Sequence, residues 1–247
     1  MIPTFIYKPE DIKDESVKIR GPEAHHIAKV LRMTKGEIVR VMDGYGMSHI
    51  CEIRSASART VTCTIVKTVK NGGEPKLDLA LALGLSSATK FDLVVEKGTE
   101  VGVSRFIPLI TEQAKVKIKE QETLVRRMNR WRRLCEAAAK QSARSVIPMI
   151  SPPVIYGEFI AACIAEESAL FHPDGKKTTP VGVLAATGGK RLTVIIGPES
   201  GFSSAEVETA RSRKIPIFSL GDRILRTETA GVVVPALLIY GEEDAKG

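Results

Sequence analysis

At 247 residues, with 43% hydrophobic and 26% charged side chains, the chain has room for one or two domains with a full core and is too evenly balanced for a disordered, fibrous or membrane-bundle protein. Aromatic residues are only 5%, which argues against a sheet that grips bases on stacked rings, and the net charge of +7 admits a polyanionic partner without requiring one. The charge is uneven: residues 1–70 hold 12 basic and 8 acidic side chains, residues 111–145 hold 10 and 4, and the stretches 71–110 and 146–247 are slightly acidic.

In chain order, the first 70 residues read mainly as short strands. Pro22–Arg32 interrupts them with apolar residues at 24, 27, 28, 30 and 31, the spacing of one short helix. Ile38–Met42 is a strand that stops at the turn Asp43-Gly44-Tyr45-Gly46. His49–Ile53 alternates as a half-buried strand does, and Val61–Val66 is rich in β-branched residues. Several strands and one helix predict a small barrel-like domain over 1–70. Lys70-Asn71-Gly72-Gly73-Glu74-Pro75 is the strongest boundary signal in the chain.

From 74 to 247 strand and helix alternate. Strands are expected at Leu77–Leu85, Ser104–Ile110, Val146–Ile150, Ser168–Phe171, Leu192–Ile196 and Ile215–Leu220. Helices are expected at Lys90–Val101, Glu122–Ser145, Gly157–Ala165, Ser203–Ser212 and Thr227–Tyr240. This grammar predicts an α/β domain, a mostly parallel sheet with helices on both faces. Cys51, Cys63, Cys135 and Cys163 form no C-x-x-C pair, and the histidines complete no metal-ligand spacing, so no metal is expected. Charges follow Met1–Phe5 too soon for a secretory signal, and no apolar run reaches the ~18 residues of a membrane span. A reduced, cytoplasmic setting without membrane contact is expected.

Two loops have the design of a ligand site. Val194-Ile195-Ile196 runs into Gly197-Pro198-Glu199-Ser200-Gly201-Phe202, and Ser203 with Glu206 makes a capping box for the helix that follows. Ile217–Leu220 runs into Gly221-Asp222-Arg223-Ile224-Leu225-Arg226, with Thr227 as N-cap of an apolar helix. Ligands of parallel sheets bind beyond the C-terminal strand ends, and glycines let the backbone approach them closely. Each loop alone also reads as an ordinary turn, the second with Arg226 and Glu228 paired to each other; two such loops close in sequence favour one shared pocket more than either does alone.

Arg126-Arg127-Met128-Asn129-Arg130-Trp131-Arg132-Arg133 lies inside a predicted helix. Arg126, Arg130 and Arg133 share one stripe, and five arginines without an acid exceed what solubility needs. A phosphate-contacting face is the stronger reading over a merely solvated one. Lys29 and Arg32 on the short first helix are further phosphate candidates. In His25-His26 one ring is expected to be exposed and the other packed.

Taken together, these segments resemble the RsmE family, 16S ribosomal RNA uridine-N3 methyltransferases of the SPOUT class. The carrying stretches are His26–Gly36, Lys97-Gly98-Thr99-Glu100-Val101-Gly102-Val103, Gln141-Ser142-Ala143-Arg144 with Pro148, Gly197–Phe202 and, most specific, Leu220–Ala230. The resemblance implies an N-terminal PUA-like β-barrel that binds RNA and a C-terminal SPOUT α/β domain with a deep trefoil knot, a topology no residue pattern would predict. It also implies a homodimer and S-adenosylmethionine held by the two loops. Gly197, Glu199 and Gly201 would line one wall, and Leu220, Gly221, Ile224, Leu225 and Arg226 the other. His26, Lys29, Arg32, Arg126, Arg130, Arg133 and Arg144 would face RNA, in free 16S rRNA or the assembled small ribosomal subunit. Arg226 and Glu228 would be catalytic: Arg226 would stabilise charge on a uracil oxygen, and Glu228 would orient Arg226 or relay the N3 proton. Four positions depart from the family: Ser200 and Glu96 stand where it has Gly and Gln, and Glu112-Gln113-Ala114 where it has Glu-Arg-Ser. A knotted tRNA ribose 2′-O-methyltransferase and a non-catalytic RNA-binding assembly factor are the rival readings.

Overall fold

A computed structural model describes residues 2–114, 121–188 and 190–244. Its contacts gather into two units, Met1–Glu74 with Ala139–Ile147, and Pro75–Ala138 with Pro148–Gly247.

The first unit is a six-stranded sheet in the order β1-β4-β5-β6-β3-β2. Its strands are β1 (Thr4–Ile6), β2 (Ile12–Lys13), β3 (Ser16–Arg20), β4 (Ile38–Met42), β5 (Met47–Ala56) and β6 (Thr60–Lys70). Only β1 and β4 pair parallel; the remaining pairs are antiparallel. Alternate side chains of β3, β4, β5 and β6 (Val17, Ile19, Val39, Val41, Cys51, Ile53, Val61 and Cys63) meet Phe5, Tyr7 and Ile27 in one core, the inward half of a period-2 pattern. The Cys51 thiol is pushed up to about 12 by burial and the nearby Cys63, which suits a packing role rather than a reactive one. The expected helix at Pro22–Arg32 is two short pieces, α1 (Pro22–His25) and a π-turn at His26–Val30, closed by Leu31 donating to the His26 carbonyl. His25 and His26 are both exposed, so neither is the packed ring the sequence predicts.

The division falls between Glu74 and Pro75, within the predicted turn cluster. One feature differs from a simple 74–247 domain: Ala139–Ile147 belongs to the first unit. Backbone groups explain it. Gly46 N–H donates to the Ser145 carbonyl, Ile147 N–H to the Gly44 carbonyl, and the Arg40 guanidinium to the Ala143 carbonyl at 2.8 Å. Glu74 accepts from the N–H groups of Ser145 and Val146, both at 2.9 Å, and pairs with Arg144 at 2.7 Å. Val146 and Ile147 are thereby used up, and the strand expected at Val146–Ile150 shrinks to β9 (Met149–Ile150).

The second unit holds seven strands, all paired parallel, in the order β10-β8-β7-β12-β11-β13, with β9 on β8. They are β7 (Asp78–Gly84), β8 (Arg105–Ile110), β9, β10 (Val154–Ile155), β11 (Ser168–Lys177), β12 (Arg191–Ile196) and β13 (Ile217–Ser219). The central strands β7 and β12 read as near-continuous apolar runs because both faces are covered. The helices are α2 (Ala88–Val101), α3 (Gln121–Gln141), α4 (Tyr156–Ala162), α5 (Pro180–Ala186), α6 (Ser204–Ser212) and α7 (Thr227–Asp244). Within this unit α3 docks on α2 through Phe91 and Trp131, whose rings lie 4.5 Å apart, while buried Asp92 accepts from Trp131 Nε1 and Arg130 Nε. The helix stops at Gln141, short of the expected Ser145, because Ala143 turns left-handed at φ 59°. Helix α5 has no counterpart in the sequence reading, although Thr179-Pro180 is a sound start: the Thr179 hydroxyl accepts from Gly182 N–H.

Candidate active site

Three strand ends build the site. β12, β11 and β13 are consecutive in the sheet and point the same way, so their C-termini open on one edge. The chain leaves β12 at Gly197 and β13 at Leu220, and it bulges from β11 at His172, since Phe218 faces both Phe171 and Lys176 in the register. Gly175 permits the bulge: a Cβ there would sit 2.5 Å from the Phe218 carbonyl carbon. Gly84, the last residue of β7, permits the neighbouring loop, because a Cβ would lie 2.3 Å from Pro198 N.

These segments and the start of α2 line a cavity of about 670 Å³, within the range of small-molecule sites. Gly197, Glu199, Gly201, Leu220, Ile224, Leu225, Arg226 and Glu228 all line it. Gly221 does not; it turns the chain at φ +136°, held by the Ser219 hydroxyl, which donates to its carbonyl at 2.9 Å. Ile196, Phe218 and Val234 add apolar wall.

The loops are tied from behind. Ser203 and Glu206 form the predicted capping box, with Glu206 Oε2 accepting from Ser203 N–H and Oε1 from Glu112 N–H, both at 2.9 Å. Thr227, expected as an N-cap, instead opens α7 as its first residue and donates from Oγ1 to the Gly197 carbonyl at 3.2 Å. That bond joins the two cavity walls. Ser200 carries its Cβ without left-handed strain, and its hydroxyl donates to the Gln113 carbonyl at 2.9 Å. Two of the departures from the family pattern thus touch each other.

The charge layout has a feature the sequence reading missed. Lys90, near the start of α2, puts its ammonium 3.3 Å from Glu199 and 3.7 Å from Glu228. Glu199 also accepts from Ser87 N–H, and this bond together with Lys90 holds its carboxyl below the usual carboxylate range. Glu228 faces Lys90 and not Arg226, so a surface pair of Arg226 with Glu228 is not what the loop forms. Glu228 Oε2 is buried without a hydrogen-bond partner, since 3.7 Å is too long for one. The Arg226 guanidinium is exposed and has no partner among the described residues, leaving its donors for a ligand.

The basic side chains read as RNA contacts divide into two groups. In the first unit His26, Lys29 and Arg32 are exposed, with His26 edge-on to Phe5. In the second unit the Arg126 and Arg130 side chains are 71% and 61% exposed, and Arg133 is exposed as well. Arg144 is the exception. Its side chain is 2% exposed and locked on Glu74, so it braces the first unit and offers no surface to a phosphate.

The chain thus joins a parallel α/β domain with a strand-end cavity of small-molecule size to a small β unit that carries exposed basic side chains, the parts expected of an enzyme that works on a polyanion. The chain belongs to the RNA methyltransferase family, whose domain model matches residues 73–239; an RNA methyltransferase PUA domain model matches residues 19–66. Ribosomal RNA small subunit methyltransferase E of Bacillus subtilis is 28% identical over 235 residues, covering 93% of this chain and 91% of that protein. The protein of that name from Aquifex aeolicus is 29% identical, covering 95% and 98%. A protein from Legionella pneumophila, solved in complex with the bound cofactor SAM, superposes with a TM-score of 0.82 at 27% identity over 98% of each chain. Among the described residues no group of three or more His, Cys, Asp or Glu is placed to hold a metal ion, and no helix is long and apolar enough to cross a membrane.

Proposed function

We propose that this protein transfers a methyl group from S-adenosylmethionine to N3 of a uridine in 16S rRNA of the small ribosomal subunit. The observation that carries the reading is the single cavity into which the Gly197–Gly201 and Leu220–Glu228 loops converge, with one buried carboxylate oxygen left unsatisfied in its wall. The residues present fit the cofactor: apolar side chains from Ile196, Phe218, Leu220 and Leu225, and a loop backbone at Gly201 (φ +75°) that admits close approach. When bound, S-adenosylmethionine supplies an electrophilic methyl group on a sulfonium, which a uracil N3 that has lost its proton takes in line.

The chain's own residues have three tasks. Glu228, whose side chain is 15% exposed in the cavity wall, accepts the N3 proton through its carboxylate. Arg226 donates to the uracil oxygen on which negative charge gathers as that proton leaves. The Thr227–Gly197 bond fixes the walls so that these groups stay in register. The first unit is then a PUA-like barrel, the second carries a deep trefoil knot, and the protein works as a homodimer in the cytoplasm.

RNA is held by His26, Lys29 and Arg32 in one unit and by Arg126, Arg130 and Arg133 in the other. These contacts are electrostatic, so they set affinity and salt dependence, and an extruded uridine sets the target. Changing Arg126 and Arg133 to Ala together flattens the slope of log affinity against log salt by about 1–2, since each lost phosphate contact removes roughly 0.7–0.9. Arg130 is left in place because it also pairs with Asp92 at 2.6 Å. An unchanged slope in filter binding removes α3 from the RNA surface.

The function itself is tested by incubating the protein with 16S rRNA and with assembled small subunits and identifying the product nucleoside by mass. N3-methyluridine is expected. A ribose-methylated nucleoside overturns the N3 reading. No product, together with no thermal stabilisation by S-adenosylmethionine, makes the protein an RNA-binding assembly factor.

A further inference from the structure

We infer that Lys90 is a positioning residue for the transfer: its ammonium fixes where the Glu228 carboxylate stands in the cavity wall, so that it meets the substrate proton. The inference rests on the methyltransferase reading and goes beyond it, because Lys90 lies outside both cavity loops.

The geometry is specific. Lys90 enters the cavity from α2, whereas Glu199 follows β12 and Glu228 lies in the first turn of α7. One ammonium therefore reaches carboxylates on two other elements, at 3.3 Å and 3.7 Å. The two contacts are unequal. Glu199 has a second donor, Ser87 N–H, and is a third exposed, so it anchors the lysine. Glu228 is more deeply buried, with its side chain 15% exposed, and its Oε2 has no hydrogen bond.

A carboxylate oxygen without a donor has nothing of its own to fix its direction, so an opposite charge beside it decides where it points. Lys90 supplies that charge without taking up a hydrogen bond of the carboxylate, because it stands beyond hydrogen-bond reach of Oε2. The remaining ionisable groups on the cavity do not replace it. Arg226 precedes Glu228 on the same loop but makes no pair with it. Arg223 is exposed on the loop after β13, and His172 of the β11 bulge takes its Nδ1 acceptor contact from Asp174 N–H. The start of α7 adds its unpaired N–H groups, which favour negative charge without fixing where the carboxylate points.

The test compares the full-length protein with its Lys90→Met and Lys90→Arg variants. The readouts are kcat, KM for RNA, calorimetric affinity for S-adenosylmethionine and thermal unfolding. Lys90→Met is expected to lose about 10²-fold in kcat, the scale of a displaced general base. Its RNA KM, cofactor affinity and melting temperature stay close to wild type. Lys90→Arg is expected to recover most of that loss, since it restores the cation. A kcat within threefold of wild type for Lys90→Met overturns the inference. So does a loss confined to cofactor affinity, which makes Lys90 part of the cofactor wall, and so does an Arg variant as slow as the Met one. A wild-type protein that transfers no methyl group to small-subunit RNA overturns the methyltransferase reading and this inference with it. An active wild type with an indifferent Lys90→Met overturns this inference alone.

Discussion

Changing Arg226 to Gln lowers kcat about 10²–10³-fold, the cost of removing one charged donor from a developing oxyanion, while affinity for S-adenosylmethionine stays within about threefold. The split follows from placement. Arg226 lines the cavity, and its backbone carbonyl is already used by Ala230 N–H at 2.8 Å. The helix start therefore survives the substitution, and the Thr227–Gly197 bond that joins the walls is untouched. What is lost is an exposed guanidinium with no partner among the described residues. A group that waits for charge appearing during the reaction leaves ground-state binding unaffected when removed. Single-turnover methylation and calorimetry on the same preparation separate the outcomes. Undiminished turnover ends the catalytic role of Arg226. A parallel fall in cofactor affinity makes it a wall residue only.

The second large effect concerns stability. Changing Glu74 to Ala removes the carboxylate facing a guanidinium whose side chain is 2% exposed. Breaking a buried pair from one side costs about 3–5 kcal/mol, because the other charge stays in the interior. Glu74 has a further task that strengthens the expectation: its Oε1 accepts from Ser145 and Val146 N–H, so their backbone donors also lose their partner. Urea unfolding of the full-length chain should show the loss, in the transition of the first unit if the two units unfold separately. Glu74→Gln, which keeps an acceptor but not the charge, falls between wild type and Glu74→Ala. A Glu74→Ala protein as stable as wild type means that Arg144 gains nothing from this pair.

Much of the fold was legible because its signals are local. The β-branched run at 61–66 and the apolar runs at 77–85 and 192–196 report burial directly, and each lies within or largely overlaps an observed strand, β6, β7 and β12. The Ser203–Glu206 capping box formed as read, since both partners lie within one turn. The errors have a common source. Helix α3 ends early and the Val146–Ile150 strand shrinks because Ala139–Ile147 binds Gly44, Gly46 and Glu74, which are distant in sequence. Arg144 was misread as an RNA contact because an arginine pattern does not reveal its partner; the partner is 70 residues away.

The cavity divides in the same way. Spacing and residue type alone showed that a glycine-bearing loop follows each of two apolar strands, that acid and base flank the second, and that positive charge gathers in residues 1–70 and 111–145. Those are properties of neighbouring residues, fixed by spacing and side-chain chemistry. The fold brings the loops to one cavity, because strand order in a parallel sheet is set by packing and crossover, not by sequence order. It also decided that Glu228 faces Lys90 and not Arg226. Charges beyond the first turn meet where helices bring them, and α2 and α7 bring these two together across more than a hundred residues of chain.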